Sequence, residues 1–220
     1  MADELKPYLK DFLLYLLIII IVIAGLTFLI SQKPTAESDK KEATGSSQID
    51  YKQYSTPPKM EIDTAKKYTA KLTTGKGVIS VELFAKEAPN AVNNFVFLAK
   101  EGFYDGTKFH RIVKDFMIQG GDPQGDGTGG PGYTFPDEPI SRDYKRGIVA
   151  MANRGPDTNG SQFFIMLKDN DLPKQYVIFG QVTSGLEVID KIAQTPVADN
   201  GMGEKSKPTE EVKVEKITIQ

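Results

Sequence analysis

Hydrophobic and polar positions fall into three regimes along this chain. Residues 12–30, from Phe12-Leu13-Leu14 to Phe28-Leu29-Ile30, form an apolar run without a charge. At 1.5 Å per residue a helix of that length measures about 28 Å, close to the ~30 Å hydrocarbon core of a bilayer. The run exceeds the apolar centre of a secretory signal, and Leu29-Ile30-Ser31-Gln32 offers no small-residue cleavage site. The pattern therefore predicts one uncleaved transmembrane helix after a short leader, residues 1–11. Residues 31–59 are polar, rich in Lys, Glu, Ser, Thr and Pro, and carry too little apolar surface to fold. They predict a flexible linker with an r.m.s. reach of about 30 Å if it behaves as a coil. Residues 60–220 are long enough for one buried core.

In that third regime the dominant period is two. Tyr68 to Thr73 and Val78 to Leu83 alternate around Gly75-Lys76-Gly77, a hairpin signature. Further strands are predicted over 108–113, 116–119, 147–151, 162–167, 177–182 and 212–219. Two segments switch to the helical period. Pro89 opens the first, Val92, Phe95, Val96 and Ala99 supply its stripe, and Gly102 ends it. Ser184-Gly185-Leu186-Glu187 reads as a capping box opening the second, with Leu186, Ile189, Ile192 and Ala193 inward. Eight strands and two helices predict a mainly β fold, a closed eight-stranded antiparallel barrel capped by the helices. Periodicity alone also accommodates an α+β sandwich.

Composition narrows the function. Charged residues are 25% and the formal net charge is −2, which gives no electrostatic case for nucleic acid. Without cysteine there is no thiolate metal site, disulfide or cysteine nucleophile, and with His110 as the one histidine no His-pair metal site. Gly125-Asp126-Gly127-Thr128-Gly129-Gly130 matches the dinucleotide-binding pattern as text. It is followed by Pro131-Gly132-Tyr133-Thr134-Phe135-Pro136, which cannot open the helix whose N-terminus would hold the pyrophosphate. Asp122, Gln124 and Asp126 suggest a calcium loop, but Tyr133 stands where the bidentate glutamate belongs. Ser161 lacks a nucleophile elbow, and the sequon Asn159-Gly160-Ser161 sits in a turn against a core strand.

Two stretches remain: Phe109-His110-Arg111-Ile112-Val113 running on to Phe116-Met117-Ile118-Gln119-Gly120-Gly121-Asp122, and Asn159-Gly160-Ser161-Gln162-Phe163-Phe164-Ile165. Each sets a long polar donor among aromatic and aliphatic residues, the mixture of a groove that holds an apolar, uncharged segment with few hydrogen bonds. Strand spacing puts Phe109 and Arg111 on one face and His110 on the other. Phe116, Met117, Phe164 and Leu172 can form floor and walls, Gln119 and Gln162 neutral arms, and Asn153 a backbone partner for an extended peptide. Rotation about an X–Pro bond needs these parts and no nucleophile. Its barrier of roughly 18–20 kcal/mol is amide resonance, lost when the nitrogen pyramidalises, so a catalyst must grip the ring and favour the twisted state.

In their order the two stretches, together with Gly127-Thr128-Gly129-Gly130, Met151-Ala152-Asn153 and Val177-Ile178-Phe179-Gly180, resemble the signature segments of the cyclophilins, the peptidyl-prolyl cis-trans isomerases. The chain resembles a membrane-anchored, bacterial-like member, over nearly all of residues 60–220. The resemblance implies Arg111 as the catalytic arginine and Phe116, Met117, Phe164 and Leu172 around the proline. It implies that Gln119, Ala152, Asn153 and Gln162 hold neighbouring residues and that Tyr176 takes the place of a groove histidine. Asp171-Leu172 replaces a Trp-Leu pair that matters to cyclosporin binding in the family. The implied partners are proline-containing unfolded or extended polypeptides, with no cofactor because the chemistry is torsional; a binding module with little turnover is the alternative. Lys6 and Lys10 before the apolar run and Lys33, Lys40 and Lys41 after it barely discriminate orientation. The short leader most simply stays inside, which predicts a single-pass cell-membrane protein with an extracytoplasmic domain that assists folding.

Overall fold

The computed structural model describes residues 51–220. The leader, the transmembrane helix expected at residues 12–30 and most of the linker lie outside the described residues. Among the described residues no helix is long and apolar enough to cross a membrane.

The hairpin forms where alternation and turn chemistry agree. Strands β1 (Tyr68–Thr74) and β2 (Gly77–Leu83) pair across Gly75-Lys76, with Ala70 opposite Val81 and Leu72 opposite Ile79, all four buried. The chain continues through helix α1 (Pro89–Lys100), β3 (Arg111–Val113), β4 (Met117–Gly120), β5 (Ile148–Met151), β6 (Phe163–Met166), β7 (Ile178–Ser184), helix α2 (Leu186–Ala193), β8 (Val197–Asp199), β9 (Lys205–Pro208) and β10 (Val214–Ile219). All eight expected strands join one antiparallel sheet, in the order β10-β1-β2-β7-β5-β6-β4-β3.

That sheet is open, which corrects the expectation of a closed barrel. Its end strands β3 and β10 are not ladder neighbours. With three residues β3 is too short to run along β10, and the two edges meet only ahead of it. There Lys108 bridges Lys213, Phe109 N–H donates to Val212 O and Val214 N–H to Thr107 O. A separate ribbon of β8 and β9, which periodicity did not predict, packs beside β3 and is joined to it through Arg111 and Glu204.

Helix α1 buries Val92, Phe95, Val96 and Ala99, as its stripe predicts. Phe95 meets the rings of Tyr104, Phe179 and Phe163 at centroid distances of 5.1, 5.2 and 5.7 Å, the centre of the main core. The helix start has no cap from its own N-cap residue, Ala88. The Glu138 carboxylate caps it from outside, accepting N–H bonds from Asn90 (2.8 Å) and Ala91 (2.9 Å).

Helix α2 departs from the expected capping box. Ser184 ends β7, and Gly185 is the N-cap with φ of +90° and no side-chain bond. A Cβ there would stand 2.4 Å from the Val78 carbonyl, so close backbone approach decides the start instead of a hydroxyl cap. The buried residues are Val188, Ile189 and Ile192, while Leu186 is exposed.

Residues 51–59, read from the sequence as the end of the linker, belong to the same compact unit as the domain. Tyr54 is the reason. Its ring meets Phe97 edge-on at 5.1 Å and lies near Phe103 and Tyr133, and its N–H donates to Pro131 O. Gln53 adds a bond to Gly130 O. One aromatic residue in a polar segment supplies the burial that composition averages conceal.

Candidate functional site

Alternation on β4, β5 and β6 divides their side chains between two apolar clusters. Ile118, Val149, Met151, Phe163 and Ile165 face the main core under the helices. Met117, Ala150, Phe164 and Met166 face the other side, in a second cluster with Phe84, Tyr144, Ile148 and Ile178. Register then aligns a row across that second face. Arg111 is opposite Gln119, Gln119 opposite Phe164, and Phe164 opposite Ala150.

The row opens into a cavity of about 200 Å³ lined by Arg111, Phe116, Met117, Gln119, Ala152, Asn153, Phe164, Leu172 and Tyr176. These are nine of the ten site residues expected from the sequence. The tenth, Gln162, lines an adjoining cavity of about 320 Å³ that shares Gln119, Ala152 and Asn153. The two glutamines join the spaces, since Gln119 Nε2 donates to Gln162 Oε1 at 3.0 Å. Gln162 Nε2 in turn donates to Gly129 O (2.8 Å) and Gly127 O (3.1 Å), which holds the glycine loop against the strand. A larger open depression of about 640 Å³ lies between Thr64–Lys67 and Phe84–Glu87. It shares none of these residues, and its rim of Lys66, Lys67, Lys86 and Arg142 does not suit an apolar ligand.

Each wall has a local cause. Phe164 is almost fully buried, and the Tyr176 ring stands edge-on to it at 5.5 Å. Tyr176 is fixed in turn by Tyr144, whose hydroxyl donates to Tyr176 O (2.9 Å) and accepts from Tyr176 N–H (3.0 Å). Asn153 Nδ2 donates to Gln175 O at 2.7 Å, tying the end of β5 to the loop that carries Leu172. The Ala152 N–H is already taken by Gln162 O, so that residue offers its methyl and carbonyl to a ligand.

At the open rim, Arg111 directs Nη1 toward Gln119 Oε1 at 3.3 Å and the Met117 sulfur at 3.9 Å. Its Nε and Nη2 form a bidentate pair with Glu204, at 2.8 and 2.7 Å. Glu204 went unnoticed in the sequence. It lies 93 positions from Arg111 on an irregular turn, and only acidic character next to the β9 strand could have suggested it. The arginine holds the Glu204 carboxyl down to about 2, so the carboxylate is charged throughout the neutral range.

Phe109 and Arg111 do not share a face. Phe109 is in the main core, whereas Arg111 lines the groove, because β3 begins only at Arg111 and the alternation does not extend back to 109. His110 packs near Gly127, and burial lowers its pKa below the ordinary imidazole value, which keeps it neutral near pH 7. The rejected motifs have structural uses. Ser161 is buried with its hydroxyl donating to Gly121 O, and Asn159 is buried with its amide on Phe135 O and Asp137. Asp122 accepts N–H bonds from Gln124, Asp126 and Gly127, so its carboxylate organises the glycine loop.

A small cavity on a sheet face, walled by aromatic and aliphatic side chains and rimmed by neutral amides and one guanidinium, suits a short uncharged stretch of polypeptide. Residues 69–219 match the family model described as cyclophilin type peptidyl-prolyl cis-trans isomerase/CLD. A Helicobacter pylori peptidyl-prolyl cis-trans isomerase is 48% identical over 145 residues, 64% of this chain and 89% of that protein. The mouse peptidyl-prolyl cis-trans isomerase-like 1 is 46% identical over 150 residues, covering 65% and 87%. A crystal structure of a Cryptosporidium parvum cyclophilin type peptidyl-prolyl cis-trans isomerase in the presence of dipeptide ala-pro matches with a TM-score of 0.64. The two are 38% identical over 69% of this chain and 98% of the other. The chain belongs to the cyclophilin-type peptidyl-prolyl cis-trans isomerase family, and its activity is isomerisation of X–Pro bonds.

Proposed function

We propose that the cavity between Phe116, Met117, Phe164, Leu172 and Tyr176 receives the proline ring and that Arg111 is the catalytic group. The observation that carries this reading is the convergence, on one sheet face, of the apolar walls with a single guanidinium whose Nη1 points at the cavity. The reaction needs no proton transfer. Rotation uncouples the nitrogen lone pair from the carbonyl, and a fixed cation beside the twisted amide favours that state over either planar isomer. Gln119, Gln162, Ala152 and Asn153 hold the flanking chain while one side turns. The Cryptosporidium parvum neighbour, obtained with the dipeptide ala-pro, supports proline-containing peptides as the ligand class.

The setting is the second part of the proposal. The uncharged run at residues 12–30 supports attachment to a bilayer, and the extracytoplasmic side is the placement we propose for the isomerase domain. There it would assist folding of proline-containing proteins at the membrane surface. A refolding assay limited by proline isomerisation tests the site: wild-type full chain accelerates the slow phase and Arg111→Ala loses most of that effect. Equal acceleration by both would remove Arg111 from the mechanism. Acceleration by neither would leave a proline-segment binding module. Protease treatment of intact cells tests placement, since protection of the domain would put it in the cytoplasm.

A further inference from the structure

Arg111 is a long side chain at an open rim, about one third exposed, and nothing on its own three-residue strand fixes the guanidinium plane. We propose that Glu204, carried on the β8–β9 turn, is a positioning residue that clamps Arg111 in its working orientation. The pairing is fork to fork. Glu204 Oε2 accepts from Nε and Oε1 from Nη2, so both carboxylate oxygens take one edge of the guanidinium. Two parallel charge-assisted bonds fix a plane as well as a distance. They leave Nη1 as the group turned to the cavity, beside Gln119 and Met117.

The turn that presents Glu204 is itself built to hold it. Asp199 Oδ1 accepts the N–H groups of Gly201 and Gly203, and Asn200 Oδ1 those of Met202 and Glu204. Asn200 N–H closes the turn on Glu204 O at 2.9 Å. A ribbon so short and peripheral has little to contribute to the core, and the ion pair is too exposed to matter much to stability. Its use lies in restricting Arg111. An unclamped arginine loses rotamer freedom on each encounter with the twisted amide, whereas a clamped one has lost it beforehand.

The inference rests on the assignment of Arg111 as the catalytic group, so the test separates the two. The full chain is assayed for isomerisation of a proline-containing oligopeptide as wild type, Glu204→Gln, Glu204→Ala, Arg111→Ala and the Arg111→Ala/Glu204→Ala double variant. The expected result is a fall in kcat/KM on the order of tenfold for Glu204→Ala, mainly in kcat, because what is lost is orientation in the transition state. Glu204→Gln, which keeps one oxygen for the fork, falls less. In the Arg111→Ala background, Glu204→Ala adds no further loss, which a merely structural role would not produce. Thermal melting of the Glu204 variants stays with wild type. Unchanged or faster turnover by Glu204→Ala overturns the proposal, the faster case meaning that the carboxylate competes with substrate for Arg111. An equal additional loss in the double variant overturns it too. Full activity of Arg111→Ala would instead strike at the catalytic assignment.

Discussion

The sharpest stability prediction concerns Tyr54, which joins the polar N-terminal segment to the domain. Replacing it with Ala removes a half-buried ring that meets Phe97 at 5.1 Å and Phe103 and Tyr133 at 6.4 and 6.5 Å. Full burial of a large apolar side chain contributes roughly 1.5–3 kcal/mol, so half burial contributes about 1–1.5. The close edge-on pair with Phe97 adds about 1 kcal/mol, and the two longer contacts less. Against this, the Tyr54 hydroxyl is shielded from solvent with no hydrogen-bond partner among the described residues. A buried polar group left unpaired costs about 1 kcal/mol or more. The expected net loss for Tyr54→Ala is therefore about 1–1.5 kcal/mol, or a fall of roughly 2–6 °C in Tm for a domain of this size. Tyr54→Phe keeps the rings and removes the hydroxyl, so it should match or exceed wild type. Urea denaturation of the full chain measures both, with the slope unchanged if only stability moves. A Tyr54→Ala loss below about 0.5 kcal/mol, the range of ordinary surface substitutions, would refute the reasoning and return residues 51–59 to the linker.

Three further predictions rest on single contacts. Glu138 is held above its ordinary carboxyl pKa by burial, which outweighs its bonds to the Asn90 and Ala91 amides. The folded state thus binds its proton more tightly than the unfolded chain, so the charge costs stability above the raised pKa and that cost fades as pH falls through it. Urea unfolding should show wild type gaining on Glu138→Gln as pH falls from neutral toward the ordinary carboxyl value of 4.5; the opposite trend would contradict the assignment. Gly121 has φ of +80°, and an added Cβ would stand 2.4 Å from Ser161 O and 2.9 Å from the Phe163 ring. Gly121→Ala should cost on the order of 3 kcal/mol in denaturant unfolding, since backbone strain and a backbone clash coincide. Tyr176→Phe keeps the edge contact to Phe164 and should leave isomerase activity within about twofold, while Tyr176→Ala opens the wall and raises KM by about tenfold.

Strands that alternate between a buried and an open face were legible, and so was the number in the main sheet, but the β8–β9 ribbon was not. Leu72, Ile79 and Val81 follow the period of two, and Pro89 with Val92, Phe95 and Val96 marks the first helix without ambiguity. Closure of the sheet was not legible, because it depends on the length of β3. The edges meet only through residues 106–109, and no local signal between Phe109 and Arg111 tells where pairing with β10 stops. The start of α2 was misread for a related reason. Ser184 and Glu187 have the spacing of a capping box, but Gly185 lies so near Val78 that the neighbouring strand dictates the turn. Long-range proximity overrode a local motif.

The candidate site was legible to a greater degree than the fold around it, and the sheet explains why. On β4 and β6 the inward residues Ile118, Phe163 and Ile165 build the core, while their immediate neighbours Met117, Gln119 and Phe164 build the groove. A period of two therefore writes both functions into the same short stretch, and each signature segment carries stability on one parity and binding on the other. Phe163 and Phe164 show the division: adjacent, both aromatic, one against Phe95 and the other against Tyr176. Substitution of Phe163 should act first on folding, and substitution of Phe164 on the grip on proline. Glu204 escapes this scheme because it reaches Arg111 from the separate β8–β9 ribbon, which packs beside β3 without pairing to it. The geometry of the candidate site thus follows two codes, one local and read from alternation, the other tertiary and supplied by the turn at 200–204.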